Sequence, residues 1–454
     1  MLRSGQIITL CALALLTLGV VMVNSALMTV APVDGNGNQL PGVTAESILT
    51  SRSTLYMALA LAALALGALL PIRQLSRLAA SLGTRDNTPN TPTDNTPRKE
   101  HARAVLLPLA LGVLGLLAIL STVYLPGIGH SANGSARWVR LGSLSIQPSE
   151  LVKWGMIALI AWYGTVRAAQ MPRFWTGLLP ALLALGVVCI VIVKEDLGTG
   201  VLIAAACGLM LLAAGARFWH LAAFVPIGLA GVVTAIVISP YRVQRILAFI
   251  DPFQDSQGTG YHVIQSMAAI AGGGGTGRGL GHGFQKFGYL PEDHTDFLFA
   301  VVCEELGVAG AALVITLYLL LILTGLSIVR RETDRLLKLL GFGIMATIGL
   351  QAVINLFVVT GMAPTKGIAL PLMSSGGTGW ILTAACLGLL AAMDRTQPVE
   401  VGRNPEPDAQ ARSRDPASHT GRATPDIEHA TPHTGLFARA SGSVLRRKPS
   451  GEPS

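Results

Sequence analysis

The sequence predicts an all-α polytopic membrane protein of about ten transmembrane helices, with a large extracytoplasmic loop between the seventh and eighth and both termini cytoplasmic. Three observations predict it. The chain is 51% hydrophobic and only 13% charged over 454 residues. Several apolar runs exceed the ~18 residues that cross roughly 30 Å of hydrocarbon at about 1.5 Å per residue. Lysine and arginine crowd into alternate loops, which fixes the orientation.

The first run, 6–28, follows a lone Arg3 and is too long for the core of a signal peptide, so it reads as an uncleaved helix. Further runs fall at 55–72, 103–125, 149–168, 174–193, 198–215, 218–239, 297–329, 337–360 and 367–393. The eighth has length to spare for tilt, or for a start above the membrane. Loops after even-numbered runs hold twelve cations in under fifty residues, against nine in more than twice that length after odd-numbered runs. The 51 glycines suit closely packed membrane helices. The five cysteines, Cys11, Cys189, Cys207, Cys303 and Cys386, all lie in apolar runs without a C-x-x-C pair. They imply neither a disulfide framework nor a zinc site. A net charge of +8 does not point to nucleic acid, because much of the excess sits in short loops and the tail.

The expected organisation is a membrane domain over 1–393 and a disordered cytoplasmic tail over 394–454. A polar cytoplasmic linker at 83–100 carries three Asn-Thr-Pro repeats, and the large external loop spans 240–296.

Four stretches carry chemistry. Arg137-Trp-Val-Arg140 ends an external loop, and Pro148-Ser149-Glu150 opens the next helix, with Lys153 one turn on. This is either an ion-paired helix start or part of a polar cavity. The large loop begins after Arg242 and Arg245 and runs into Ala271-Gly-Gly-Gly-Gly-Thr-Gly-Arg-Gly-Leu-Gly-His-Gly283. That run satisfies G-x-G-x-x-G, but no strand precedes it and no Walker lysine follows, so a nucleotide site is rejected. The polar segment Lys286 to Asp296, with Glu292, Asp293 and His294, then runs into an apolar helix interrupted by Glu304 and Glu305. Asp296 stands where it would either cap that helix or serve a reaction, and the paired glutamates need a polar cavity or a cation. Last, Asn355 to Gly379 contains Pro364, Lys366, Pro371, Ser374 and Gly376-Gly377, which imply broken helix lining protein or a cavity. Cations on the outer face suit a ligand with several negative charges, such as a pyrophosphate, or salt bridges that pin the loops. Lys194, beside Glu195 and Asp196, fits the second use.

With these motifs in order, residues 5–395 resemble the SEDS family of shape, elongation, division and sporulation proteins. Pro364-Thr-Lys-Gly367 and Gln285-Lys286 before Tyr289-Leu-Pro-Glu292 look like its division branch rather than its elongation branch. The resemblance implies a ten-helix peptidoglycan glycosyltransferase of the bacterial cytoplasmic (inner) membrane, acting at the division septum. It implies lipid II as donor and acceptor, release of undecaprenyl pyrophosphate, and a class B penicillin-binding transpeptidase and other divisome membrane proteins as partners. The family's essential acid, in its His-Thr-Asp-Phe motif, falls on Asp296. Arg137, Arg140, Glu150, Lys153, Arg242, Arg245, Lys286, His294, Lys366 and Ser374 are then the candidates for substrate binding. A divalent cation, Mg2+ or Mn2+, is a candidate companion of Asp296. The chain departs from the family pattern at Ser374-Ser-Gly-Gly-Thr-Gly379, at Lys194-Glu-Asp196 and at Asp293. Two other classes fit buried charges and broken helices: a lipid II flippase, and a scaffold that only activates a transpeptidase. Clustering of the acids outside, rather than along a path through the membrane, favours the enzyme.

Overall fold

The computed structural model describes residues 2–27, 45–81, 98–125, 129–132, 135–141, 144–286, 290, 294–375 and 377–397. Helix α1 is Ser4–Ala26, followed by a single turn, α2 (Ala45–Leu49), and by α3 (Arg52–Leu69), which Ser51 caps by accepting from Thr54 N. The short amphipathic α4 (Ile72–Ser81) precedes α5 (Arg98–Ser121). Then come α6 (Pro148–Val166), α7 (Leu179–Glu195) and α8 (Leu197–Ala213). Pro148 occupies the first turn of α6, where its missing N–H costs nothing. Asp196 caps α8 through Thr199 N at 3.0 Å.

The turn α9 (Phe218–Ala222) and α10 (Val225–Val237) form a stretch with no buried residue. Among the described residues, seven helical stretches are long and apolar enough to cross a membrane: Ser4–Ala26, Arg52–Leu69, Ala104–Tyr124, Phe174–Glu195, Phe218–Val237, Leu298–Arg331 and Arg335–Val359. Helix α8 is apolar but shorter. Each of the ten expected runs holds a helix, but the last begins late: α15 is Thr378–Thr396, and residues 364–370 are extended backbone. Two stretches expected to be irregular start or continue helices, because α5 opens at Arg98 and α15 runs to Thr396. The rest of the expected linker and tail lies outside the described residues.

Two parts of the expected loops are ordered. Residues 129–146 form an antiparallel three-stranded sheet, β1 (Gly129–Ala132), β2 (Ser135–Leu141) and β3 (Leu144–Ile146), in the order β1-β2-β3. Partner pairs Ala132↔Ser135 and Leu141↔Leu144 stand at the ends where consecutive strands meet. Within the large loop, α11 (Pro240–Ile250) and α12 (Tyr261–Gly273) are helical. Helix α12 leans on α14 (Arg335–Val359), with Ser266 Oγ donating to Val359 O at 2.7 Å.

The core gathers α1, α3, α6, α8, α13 (Leu298–Arg331), α14 and α15. At the opposite end from the loop helices, Arg73 meets Glu332 at 3.3 Å, and Gln397 Nε2 donates to Ile328 O at 3.0 Å. Arginines and the chain's described ends share that side, as the positive-inside rule requires.

Helix α13 is broken at Gly307, whose φ of +63° only glycine adopts easily. Gly277, also at positive φ, crosses the break, and a Cβ on Gly307 would sit 2.4 Å from its nitrogen. Arg278 N, Gly279 N and Val308 N then tie the glycine-rich strand to the broken helix, bonding Glu304 O, Glu305 O and Gly274 O. Gly307→Ala should therefore lower stability by about 1–3 kcal/mol or more, from backbone strain alone, measurable as a fall in Tm in detergent.

Candidate functional site

Asp296 lies in the turn 294–297 that leads into α13, half-buried. The helix cap falls one residue later, on Phe297, so of the two readings of Asp296 the capping one is not the one the fold favours. Phe297 is buried and stacks on His262 at 5.9 Å between ring centroids. Two backbone clamps hold the turn. Ser375 N donates to His294 O at 2.9 Å, and Asn355 Nδ2 donates to Asp296 O at 2.8 Å. The turn is thus pinned between α14 and the non-helical segment 360–377.

That segment is held in its turn by its own polar groups. Ser374 Oγ accepts from Leu370 N at 3.0 Å, and Trp380 Nε1 donates to Ser374 O at 2.7 Å. Ser374 is 1% exposed, so its hydroxyl shapes the segment from within. Backbone that leaves the helix at this depth needs such partners, since lipid offers none.

Glu150 and Lys153 pair at 2.7 Å, with the lysine side chain fully buried. The Lys153 ammonium reaches both Glu150 oxygens and Gln351 Oε1 at 3.0 Å, which fills its three donors. The two readings of this stretch are therefore one object: an ion-paired helix start that is also a buried polar node.

Lys286 is equally enclosed. Its ammonium meets Glu305 Oε1 at 2.8 Å and Ser25 Oγ at 2.9 Å, with both charged side chains at zero exposure. Glu305 also accepts from Gly281 N at 3.1 Å, while Glu304 accepts from Phe284 N at 2.8 Å and faces Arg278 at 3.6 Å. The paired glutamates thus find a cation and backbone donors, as carboxylates at this depth require. They wrap the loop that carries the chain to Asp296.

The remaining cations divide. Arg242 donates to Ala235 O at 3.0 Å, Val193 O at 2.8 Å and Lys194 O at 3.0 Å, the carbonyls left open where α10 and α7 end. Arg245 donates to Thr365 O at 3.2 Å and lies over the Tyr241 ring at 4.6 Å. Both pin loops, the plainer of the two uses expected for them. Near Lys194, Glu195 accepts from Tyr124 Oη at 2.9 Å and Asp196 caps α8. Lys366, between α14 and α15, has its ammonium pulled below the ordinary lysine value by burial, with the Asp196 carboxylate opposing the shift. Arg137 and Arg140 stand on β2, with Arg140 opposite Ser145 in register, and their side chains lie outside the described residues. Asp293 and Glu292 lie outside them too.

Among the described residues no group of three or more His, Cys, Asp or Glu side chains forms a metal cage. Mg2+ shared with substrate phosphates needs no such cage, since that ion keeps waters and takes one or two carboxylates. Sequence reasoning missed three residues. Gln351 and Asn355 had a signal, two amides four apart on an otherwise apolar helix, which places them on one face. Ser25 had none.

Residues 95–398 match the model of the FtsW/RodA/SpoVE family, described as a cell cycle protein. A probable peptidoglycan glycosyltransferase FtsW of Geobacter sp. (strain M18) is 39% identical over 285 residues, covering 63% of this chain and 77% of that protein. Stage V sporulation protein E of Bacillus subtilis (strain 168) is 39% identical over 278 residues, covering 61% and 76%. Among solved structures, a chain from work on the coordination of polymerization and crosslinking by a peptidoglycan synthase complex is 28% identical. It aligns with a TM-score of 0.59 over 86% of this chain and 97% of its own. With the family model running from the residues before α5 to the end of α15, the chain belongs to the FtsW/RodA/SpoVE family of cell cycle proteins, the SEDS family.

Proposed function

We propose that this multi-pass membrane protein is a peptidoglycan glycosyltransferase that polymerises lipid II at the outer face of the cytoplasmic membrane, at the division septum. The observation that carries the reading is the Asp296 turn, clamped from two sides at the outer end of the bundle. The similarity to a probable peptidoglycan glycosyltransferase FtsW supports the chemistry assigned to it. Relationship to a chain of a peptidoglycan synthase complex supports a transpeptidase partner, of class B penicillin-binding type, alongside other divisome membrane proteins.

In the reaction, the sugar 4-hydroxyl of one lipid II attacks the anomeric carbon of another lipid-linked sugar with inversion. Asp296 takes the hydroxyl proton as the new C–O bond forms. The anomeric C–O bond breaks, and undecaprenyl pyrophosphate leaves with the bonding pair. Its developing charge calls for cations, for which Lys366, Arg137 and Arg140 are the candidates once Arg242 and Arg245 are assigned to loop carbonyls. A divalent cation held by Asp296 and the pyrophosphate would supply further charge neutralisation.

Labelled lipid II, given to the purified protein with and without its transpeptidase partner, tests the proposal. Glycan polymer supports it. Movement of lipid II across liposome membranes without polymer would establish a flippase instead. Lys366 adds a pH test. Because its folded-state pKa lies below 10.5, it loses its charge at lower pH than a free lysine. The alkaline limb of kcat/KM should therefore begin below that value, and Lys366→Arg should remove it, because guanidinium stays charged.

A further inference from the structure

We infer that Gln351 and Asn355 are positioning residues for Asp296, joining the buried Glu150–Lys153 pair to the turn that carries the acid. This inference rests on the glycosyltransferase reading and adds to it two residues that have no place in its chemistry.

The two amides sit four residues apart on α14, 9% and 1% exposed, and so share one face. Each donates to the non-helical segment, on consecutive carbonyls. Gln351 Nε2 reaches Ala369 O at 2.8 Å, and Asn355 Nδ2 reaches Ile368 O at 2.8 Å. Each then does something that merely holding this segment would not require. Gln351 turns its Oε1 to Lys153 Nζ at 3.0 Å, which orients the ion pair. Asn355 uses the second hydrogen of the same Nδ2 on Asp296 O at 2.8 Å. One amide nitrogen therefore fixes the distance between the acid's backbone and the segment that also binds His294 through Ser375 N.

A second observation argues against a purely structural clamp. Asn355 Oδ1 is buried with no hydrogen-bond partner among the described residues. A buried acceptor left unmet opposes stability. An amide kept at that expense is explained by what its donor end holds, which is the acid. Displacing a reacting group by about 1 Å is enough to cost on the order of a hundredfold in rate.

Ser266→Ala provides the control, because Ser266 Oγ makes one buried bond of 2.7 Å to the same helix, to Val359 O rather than to the turn that carries Asp296. Polymerisation of labelled lipid II by wild type, Asn355→Ala, Asn355→Ser, Gln351→Leu and Ser266→Ala would be followed as kcat and KM per folded molecule. Asn355→Ala should lower kcat by about tenfold or more with KM near wild type. Asn355→Ser, which keeps one donor, should recover part of it, and Gln351→Leu should fall between. Ser266→Ala should retain wild-type kcat whatever its Tm. If Asn355→Ala fails to fold, Asn355→Ser is read by the same split. Losses that merely follow the folded fraction, or a Ser266→Ala defect as large as that of Asn355→Ala, overturn the inference alone. A wild type that makes no polymer overturns the glycosyltransferase reading itself.

Discussion

Asp296→Asn should abolish measurable polymerisation while leaving a folded protein that still binds its transpeptidase partner. The substitution keeps the shape of the side chain and the backbone clamps from Asn355 and Ser375, because both clamps act on carbonyls rather than on the carboxylate. It removes the negative charge of the carboxylate and with it the group that accepts a proton. Loss of a positioned general base typically costs about 10²- to 10⁴-fold, so kcat should fall by that range with KM for lipid II little changed. Asp296→Glu tests placement: the base is kept but moved by one methylene, and activity should remain low although the acid is present. A variant that polymerises at the wild-type rate would remove Asp296 from the chemistry and return the question to Asp293.

The second large effect concerns stability. Lys286 and Glu305 are both fully enclosed and 2.8 Å apart. Removing one leaves the other charged and buried without its counter-ion, which costs about 3–5 kcal/mol, whereas replacing both by apolar groups of similar size is often close to neutral. Lys286→Met should thus lower Tm sharply in detergent. The double variant Lys286→Met with Glu305→Leu should recover much of the loss. Recovery should stop short of wild type, because Ser25 Oγ and Gly281 N then lose their acceptor. A double variant whose loss equals the sum of the losses of Lys286→Met and Glu305→Leu would show that the pair is not coupled.

Much of this arrangement was legible in the chain. Apolar run length placed the helices, since crossing hydrocarbon demands it. Glu150 and Lys153 announced their pairing by a three-residue spacing, and Glu304 and Glu305 announced a need for partners by standing in an apolar run. Pro364, Pro371 and Gly376-Gly377 marked the broken backbone, although the reading began α15 eleven residues too early, at 367 rather than at Thr378. Other features were present in the chain but overlooked. Asn133-Gly134 is a hairpin signal between segments that pair as β1 and β2, and Pro240 opens a helix inside what reads as a loop. The rest was hidden for a physical reason. Sequence shows which groups need partners, not which distant carbonyls lie open to receive them. It shows Arg242 and Arg245 as cations in need of partners, and only the fold brings the ends of α7 and α10 and the carbonyl of Thr365 to them.

The long-range bonds around Glu305 also set an order in time. Ser25 and Glu305 touch although 280 residues separate them, and at roughly 5–20 residues per second the ribosome takes on the order of 15–55 s to make that interval. Lys286 and Glu305 are only 19 residues apart, so they emerge almost together, long after Ser25 has been made. Trp380, whose indole closes on Ser374, is made last of all. During synthesis the growing chain therefore holds the Asp296 turn before Asn355 and Ser375, the residues that clamp it, have been made.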